Sequence, residues 1–293
     1  AADDARCRSV RLADVGWSDI AAANGLVSVV LEALGYQPTV TAASLPVAMT
    51  GMRNGQIDVF LGYWKPAMTT VVEPFAREGH IEVLAVPNLA GARYTLAVPR
   101  HLYDRGLRAF ADIARFEKEL GGRIHGIEPG SEANAQIQAM IRDNRFDLKN
   151  FTLVASSEAA MLAQVQQASR SRKAIVFVGW EPHPMNVQLR MNYLGGGDAV
   201  FGPGQGAAQV HTALARGYRE RCPNVAALLS GLRFDAEMLS RVMVPILEKQ
   251  GRPHAAARAY LQKNPSVAMP WLAGVATLDG QDAQAALAAA LTP

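Results

Sequence analysis

Three of the four tryptophans in this 293-residue chain occupy matching places: Trp17 in Asp14-Val15-Gly16-Trp17, Trp64 in Leu61-Gly62-Tyr63-Trp64 and Trp180 in Phe177-Val178-Gly179-Trp180. Each follows a predicted strand and a glycine. Glycine lets the backbone turn sharply or pass close to another group, so the ring after it is carried over the carboxyl end of its strand. Ring faces hold negative quadrupole density, and several of them around one space attract a desolvated cation that has no proton to donate. A trimethylammonium group is such a cation. At about 0.5–2 kcal/mol per face, with burial of the methyl groups added, three or four faces approach the roughly 8 kcal/mol of micromolar binding. Tryptophans in these places could also be core or hinge packing, but the threefold repeat favours a shared role in binding.

The elements that would position these rings alternate. Short β-branched runs at Val10–Ala13, Thr39–Thr41 and Ile57–Leu61 are separated by segments of helical period from Asp19 to Leu34 and from Leu45 to Asn54. That alternation predicts βαβ units around largely parallel sheets. Ser18 is a candidate N-cap with Gly35 beyond the helix end, and Ser44 precedes a second helix that holds Pro46 in its first turn and stops at Gly55. A second set runs from Tyr94–Val98 through Arg123–Ile127, a helix after Ser131, Phe151–Val154, a helix from Glu158 to Ala168, and Ala174–Val178. After the glycines at 195–197, 202, 204 and 206 the chain reads as helical, with candidates at Ala207–Arg221, Val225–Leu229, Asp235–Gln250 and Pro253–Lys263. The expected fold is α/β with two lobes. Residues 1–92 and 204–293 form one lobe and residues 93–203 the other, joined by two crossings near 88–93 and 200–206 that make a hinge, with a ligand cleft between the lobes.

Composition excludes several classes. With 49% hydrophobic and 19% charged residues the chain is a globular one, and 293 residues suit two domains. A net charge of +3 without a run of five basic residues argues against nucleic acid. No stretch reaches the ~18 consecutive apolar residues of a membrane span. The start at Ala1-Ala2-Asp3-Asp4 would fit a mature end left by signal cleavage, and a trimmed chain would look the same. Cys7 and Cys222 stand far apart, outside any CxxC or metal cluster, which reads as one long-range disulfide or as two buried thiols.

Several longer strings carry a resemblance. Gly16-Trp17-Ser18-Asp19, Asp58 to Pro66, Tyr94-Thr95-Leu96-Ala97, Gly126-Ile127-Glu128-Pro129-Gly130, Gly179-Trp180-Glu181-Pro182-His183-Pro184-Met185-Asn186 and Trp271 to Val275 resemble the periplasmic choline-binding proteins of ABC importers, within the wider glycine betaine and proline betaine binding family. The resemblance runs nearly end to end. It implies a two-lobed periplasmic binding protein (type II) that closes on its ligand, a monomer with no cofactor or metal, located in the periplasm and presented to an inner-membrane permease. It implies an aromatic cage from Trp17, Trp64, Tyr94 and Trp180, with Asp19 balancing the cation or accepting from a ligand hydroxyl. It also makes the cysteine pair an inter-lobe disulfide. Ser131 stands where these relatives have a ligand-binding asparagine and is equally a helix N-cap, with Asn134 one turn later. Tyr63 replaces a more usual asparagine and adds an aromatic beside Trp64. The implied ligand is choline, with carnitine, glycine betaine and acetylcholine as alternatives. Their carboxylates would make carnitine and betaine meet Asp19 unfavourably unless Arg93 or Lys65 supplied a donor.

An enzyme would need machinery that the sequence lacks. There is no Gly-x-Ser-x-Gly elbow, His-Glu-x-x-His pair or phosphate-binding loop, and the six histidines are scattered. Glu181 and His183 lie between prolines in a string that reads as structural. A hydrolase or lyase of choline-type amines is the distant alternative.

Overall fold

The computed structural model describes residues 3–293. Ala1 and Ala2, read above as a mature end, lie outside the described residues. The chain divides into unit 1, residues up to Ala90 together with Gln209–Pro293, and unit 2, Gly91–Ala208.

Unit 1 opens with β1 (Ser9–Asp14), α1 (Ser18–Ala33), β2 (Gln37–Ala42), α2 (Leu45–Arg53), β3 (Val59–Lys65), α3 (Thr69–Arg77) and β4 (Ile81–Val83). β1 lies parallel to β2, from Ser9 opposite Gln37 to Asp14 opposite Ala42, and parallel to β3 on its other side. The central helix α1 is small or apolar on nearly every face and buried along almost its whole length, the pattern of a helix enclosed by a core. Gly25 lets it seat against the helix Pro253–Lys263, since a Cβ there would stand 2.5 Å from the carbonyl oxygen of Pro253. Buried Asn24 donates from Nδ2 to the carbonyl of Ala13 at 2.9 Å and fixes α1 against the end of β1.

Of the two helix caps expected in this unit, one forms and one does not. Ser44 accepts from the Val47 N–H, with Pro46 in the first turn of α2. Ser18 is not the cap of α1. Trp17 holds that position in extended conformation without a side-chain cap bond, and Ser18 is the first helical residue.

Unit 2 holds β5 (Leu89–Pro99, entering from unit 1), β6 (Arg123–His125), the helix Glu132–Arg142, β7 (Thr152–Val154), the helix Glu158–Ser171, β8 (Phe177–Glu181) and β9 (Met191–Tyr193). β6 runs parallel to β7 and β8, whereas β5 is antiparallel to both β8 and β9.

The returning segment corrects the expected helix over Ala207–Arg221. Ala207–Ala215 is a strand, β10, antiparallel to β3 and to β4, and only Tyr218–Arg221 is helical. Alanine favours a helix intrinsically, but here five of the last six strand positions, from Val210 to Ala215, are the small or branched residues that fit between two neighbouring strands, and sheet pairing overrides propensity. The helices Pro223–Ser230, Ala236–Glu248, Pro253–Lys263 and Ala283–Leu291 then complete unit 1.

Cys7 and Cys222 form a disulfide with Cα atoms 5.7 Å apart. Both belong to unit 1, so the bond is not the inter-lobe link that the resemblance implied. It joins the N-terminal segment to the head of the helix Pro223–Ser230, whose first N–H groups, from Asn224 and Val225, donate to the Asp3 carboxylate at 2.7 and 3.1 Å. Closing a loop of sequence separation 215 restrains the unfolded chain by an amount on the order of 5 kcal/mol in the loop-entropy model. A Cys7→Ser, Cys222→Ser double variant will therefore melt at a lower temperature than the oxidised protein, and an unchanged melting temperature would show that the bond contributes nothing to stability.

Candidate ligand-binding site

The Trp17 ring follows a turn that the sequence builds locally. Asp14 accepts from the Gly16 N–H at 2.8 Å, and Gly16 takes a left-handed φ of +94° that would strain any other residue. Burial raises the Asp14 carboxyl above its usual range, the Gly16 bond opposing part of that rise.

At Gly62 the glycine serves a different purpose. β3 passes through it unbroken, and a Cβ would lie 2.4 Å from Cδ1 of Ile20. Residues two apart in a strand share a face, so Gly62 and Trp64 together receive the first turn of α1. Ile20 fills the space over Gly62, and the neighbouring Asp19 accepts at Oδ2 from the indole Nε1–H of Trp64 at 2.9 Å. Trp17 then meets Trp64 edge-on, with ring centroids 5.7 Å apart and planes at 65°. Trp17, Asp19 and Trp64 are thus one buried group.

Unit 2 pairs its own rings. Tyr94 on β5 is directly opposite Trp180 on β8 in antiparallel register, and Gly179 lets Tyr193 and Ala97 close in where a Cβ would stand 2.9 and 3.2 Å from them. Phe201 meets Tyr94 edge-on at 5.9 Å and Phe110 at 6.0 Å, forming a second aromatic layer. Gly206, at φ +71°, passes so near the Tyr94 carbonyl that no side chain fits. Burial pushes the Tyr94 hydroxyl well above its ordinary pKa, with Glu128 and Glu132 adding to the rise and the Ala133 N–H opposing it.

The string from Gly179 to Asn186 folds back on itself. Asn186 donates from Nδ2 to the carbonyls of Trp180 and His183 at 2.8 and 3.0 Å and accepts from the Tyr193 hydroxyl at 2.6 Å. His183 accepts at Nδ1 from the Met185 N–H at 2.9 Å and sets its ring edge-on to Trp180, 5.1 Å between centroids. Lys65-Pro66 and Glu181-Pro182, each one residue past a site tryptophan, are both cis.

The other sequence candidates have different duties. Ser131 caps the helix Glu132–Arg142, its Oγ accepting from the Asn134 N–H at 3.2 Å. Asn134 accepts at Oδ1 from the Ile127 N–H and donates from Nδ2 to the carbonyls of Ile127 and Glu128, so its amide holds the Glu-Pro-Gly-Ser turn. Gly126 makes room for it, since a Cβ there would collide with the Asn134 amide oxygen. Strand alternation sends Tyr63 to the face of β3 opposite Trp64, where its hydroxyl donates to Glu73 and Lys65 lies over its ring. Arg93 stacks over the Tyr193 ring at 5.2 Å and donates to Gln205 at 2.8 Å. Asn186 closed the Gly179-to-Asn186 string that carried the family resemblance, whereas Phe201 and Tyr193 had no sequence signal beyond residue type, because their roles depend on who their neighbours are.

Residues 8–263 match the family described as the substrate-binding domain of the ABC-type glycine betaine transport system, OpuAC. The chain belongs to this family. Members are substrate-binding proteins of ABC transporters, not enzymes, and the mixed α/β architecture is that of periplasmic binding proteins. An ABC-transporter choline-binding protein solved in complex with choline is similar over 99% of this chain and 100% of its own, at 47% identity and TM-score 0.94. The glycine betaine/carnitine transport binding protein of Listeria monocytogenes is 31% identical over 170 residues, 57% of this chain and 55% of that protein. The lactococcal OpuAC bound to glycine betaine shares the fold at 24% identity and TM-score 0.80, covering 90% of this chain and 98% of that one. No helix among the described residues is long and apolar enough to cross a membrane, and no group of three or more His, Cys, Asp or Glu among them could hold a metal. Family members work outside the cytoplasm as substrate-binding components of ABC transporters.

The buried His183 gives the site a pH signature. Desolvation lowers its pKa from 6.5 to about 3, while the unfolded chain protonates near the ordinary value. Between those limits the unfolded state holds more protons, so this contribution is complete above the unfolded pKa and declines on acidification toward the folded one, by up to about 1.4 kcal/mol per pH unit. Thermal melting at neutral pH and at about pH 4.5 will show a larger loss in the native protein than in His183→Asn, whose amide oxygen can replace Nδ1 as acceptor. Equal losses would place the acid sensitivity elsewhere.

Proposed function

We propose that this protein captures choline and delivers it to an ABC importer, with Trp17, Trp64, Tyr94 and Trp180 supplying the ring faces and Asp19 the counter-charge. The observation that carries the reading is the way each unit fixes an aromatic pair: Trp17 and Trp64 are locked with Asp19, and Tyr94 and Trp180 face each other across a strand pair. A quaternary ammonium has no N–H to donate, so it selects rings over oxygen ligands and gains from a nearby carboxylate. The choline complex of a 47% identical relative supports the same ligand here.

Choline is favoured over carnitine and glycine betaine because it lacks a carboxylate to confront Asp19. The two flanking cations are already engaged, Arg93 with Gln205 and Tyr193, and Lys65 with the Tyr63 ring. Ser131 retains a hydroxyl proton after capping its helix and is the candidate partner for the ligand's hydroxyl. Delivery by a monomer to an inner-membrane permease, from a periplasmic location, completes the proposal.

Titration calorimetry with choline, acetylcholine, carnitine and glycine betaine tests it. Choline binds most tightly if the proposal holds, and the absence of sub-millimolar binding by all four overturns it. Trp64→Ala and Trp180→Ala will each weaken choline by about tenfold or more, the loss of one well-desolvated face. Asp19→Asn will weaken choline more than glycine betaine, and an equal loss for both would remove the carboxylate from the selectivity.

A further inference from the structure

Unit 2 carries a second pocket, of about 510 Å³, whose lining includes Arg100, Arg170, Arg172 and Arg190 with Ser169 and Gln188. It lies away from the aromatic pair. β5 runs from Tyr94 opposite Trp180 to Pro99 opposite Met191, and Arg100 follows Pro99. Five extended residues span about 17 Å.

The four arginines have no carboxylate partner among the described residues. Arg6, Arg11, Arg115, Arg142, Arg219 and Arg241 each have one within 4 Å. The only acidic residue lining the pocket is Asp104, so four positive charges face one negative. Helix dipoles account for part of the cluster, because Arg170 and Arg172 stand at the end of the helix Glu158–Ser171, where a cation is favourable. They do not account for the rest. Arg100 is the first residue of the helix Arg100–Asp104, where a cation is disfavoured, and Arg190 precedes β9 in no helix at all.

The walls are fastened to one another. The Arg100 N–H donates to the Arg190 carbonyl at 2.8 Å, and His101 Nε2 meets the Lys173 carbonyl at 3.0 Å. The exposed guanidinium groups of the four arginines, with the amide of Gln166 beside them, are donors that match the oxygens of a phosphate group.

We infer that this pocket binds a phosphate group, carried by a free small molecule or by a lipid headgroup. The inference does not rest on the identity of the transported ligand. The test compares the native protein with an Arg100→Gln, Arg170→Gln, Arg190→Gln variant whose melting temperature confirms its fold. Inorganic phosphate is titrated calorimetrically at low ionic strength, and sedimentation is measured with vesicles of phosphatidylcholine alone or mixed with phosphatidylglycerol. The native protein binds phosphate, the anionic vesicles or both, and the triple variant binds at least about tenfold more weakly. Saturable phosphate binding without vesicle binding identifies a free phosphate compound. Vesicle binding that requires phosphatidylglycerol, without phosphate binding, identifies a headgroup. Failure of the native protein to bind either probe, or equal binding by the triple variant, overturns the inference.

Discussion

The hydrogen bond from the Trp64 indole to Asp19 is the constraint on which unit 1 of the site depends. A carboxylate removed from water is costly unless it is hydrogen-bonded, and the indole N–H satisfies one oxygen while the bond fixes the orientation of the Trp64 ring. The position of Asp19 is set in turn by α1, which is fixed at three points: Ile20 against Gly62, Asn24 against the carbonyl of Ala13, and Gly25 against Pro253. Each is a close approach that a larger or apolar substitute would prevent. The core packing of α1 and the chemistry of the site are therefore the same set of contacts.

Unit 2 reaches a comparable result by folding a short string back on itself. Asn186 and His183 tie the backbone around Trp180, Phe201 backs Tyr94, and Asn134 holds the turn whose acidic residues lie near the Tyr94 hydroxyl. None of these supporting groups needs to touch a ligand. Their effect is to leave the rings few alternative orientations, which lowers the ordering cost of binding.

The sequence made the architecture legible where local rules and burial agree. Alternating strands and helices marked both α/β units, and Ser44 with Pro46 marked the start of α2. Trp17, Trp64 and Trp180 stood out because glycine beside a large ring at a strand end is an unusual pairing, yet the reason differs by position: a left-handed turn at Gly16, a close approach at Gly62 and Gly179. Tyr94 came only from family resemblance, since nothing in its own neighbourhood distinguishes it from a core tyrosine. β10 was misread because alanine's helical preference is local and its strand partners are remote in sequence. The structural part of Asn134 was hidden because an amide one turn into a helix shows nothing, in sequence, of the backbone groups of Ile127 and Glu128 that it bonds.

The disulfide links Cys7 to Cys222, and all of unit 2 lies in the chain between them. That stretch of polypeptide is therefore a closed covalent ring with two free tails. A single peptide-bond cut at any point between the cysteines opens the ring but releases no fragment, so a nicked molecule keeps its full mass, its N-terminal tail and its C-terminal helices until the sulfur bridge is reduced. Oxidation state thus determines whether proteolytic damage divides this protein or merely interrupts it.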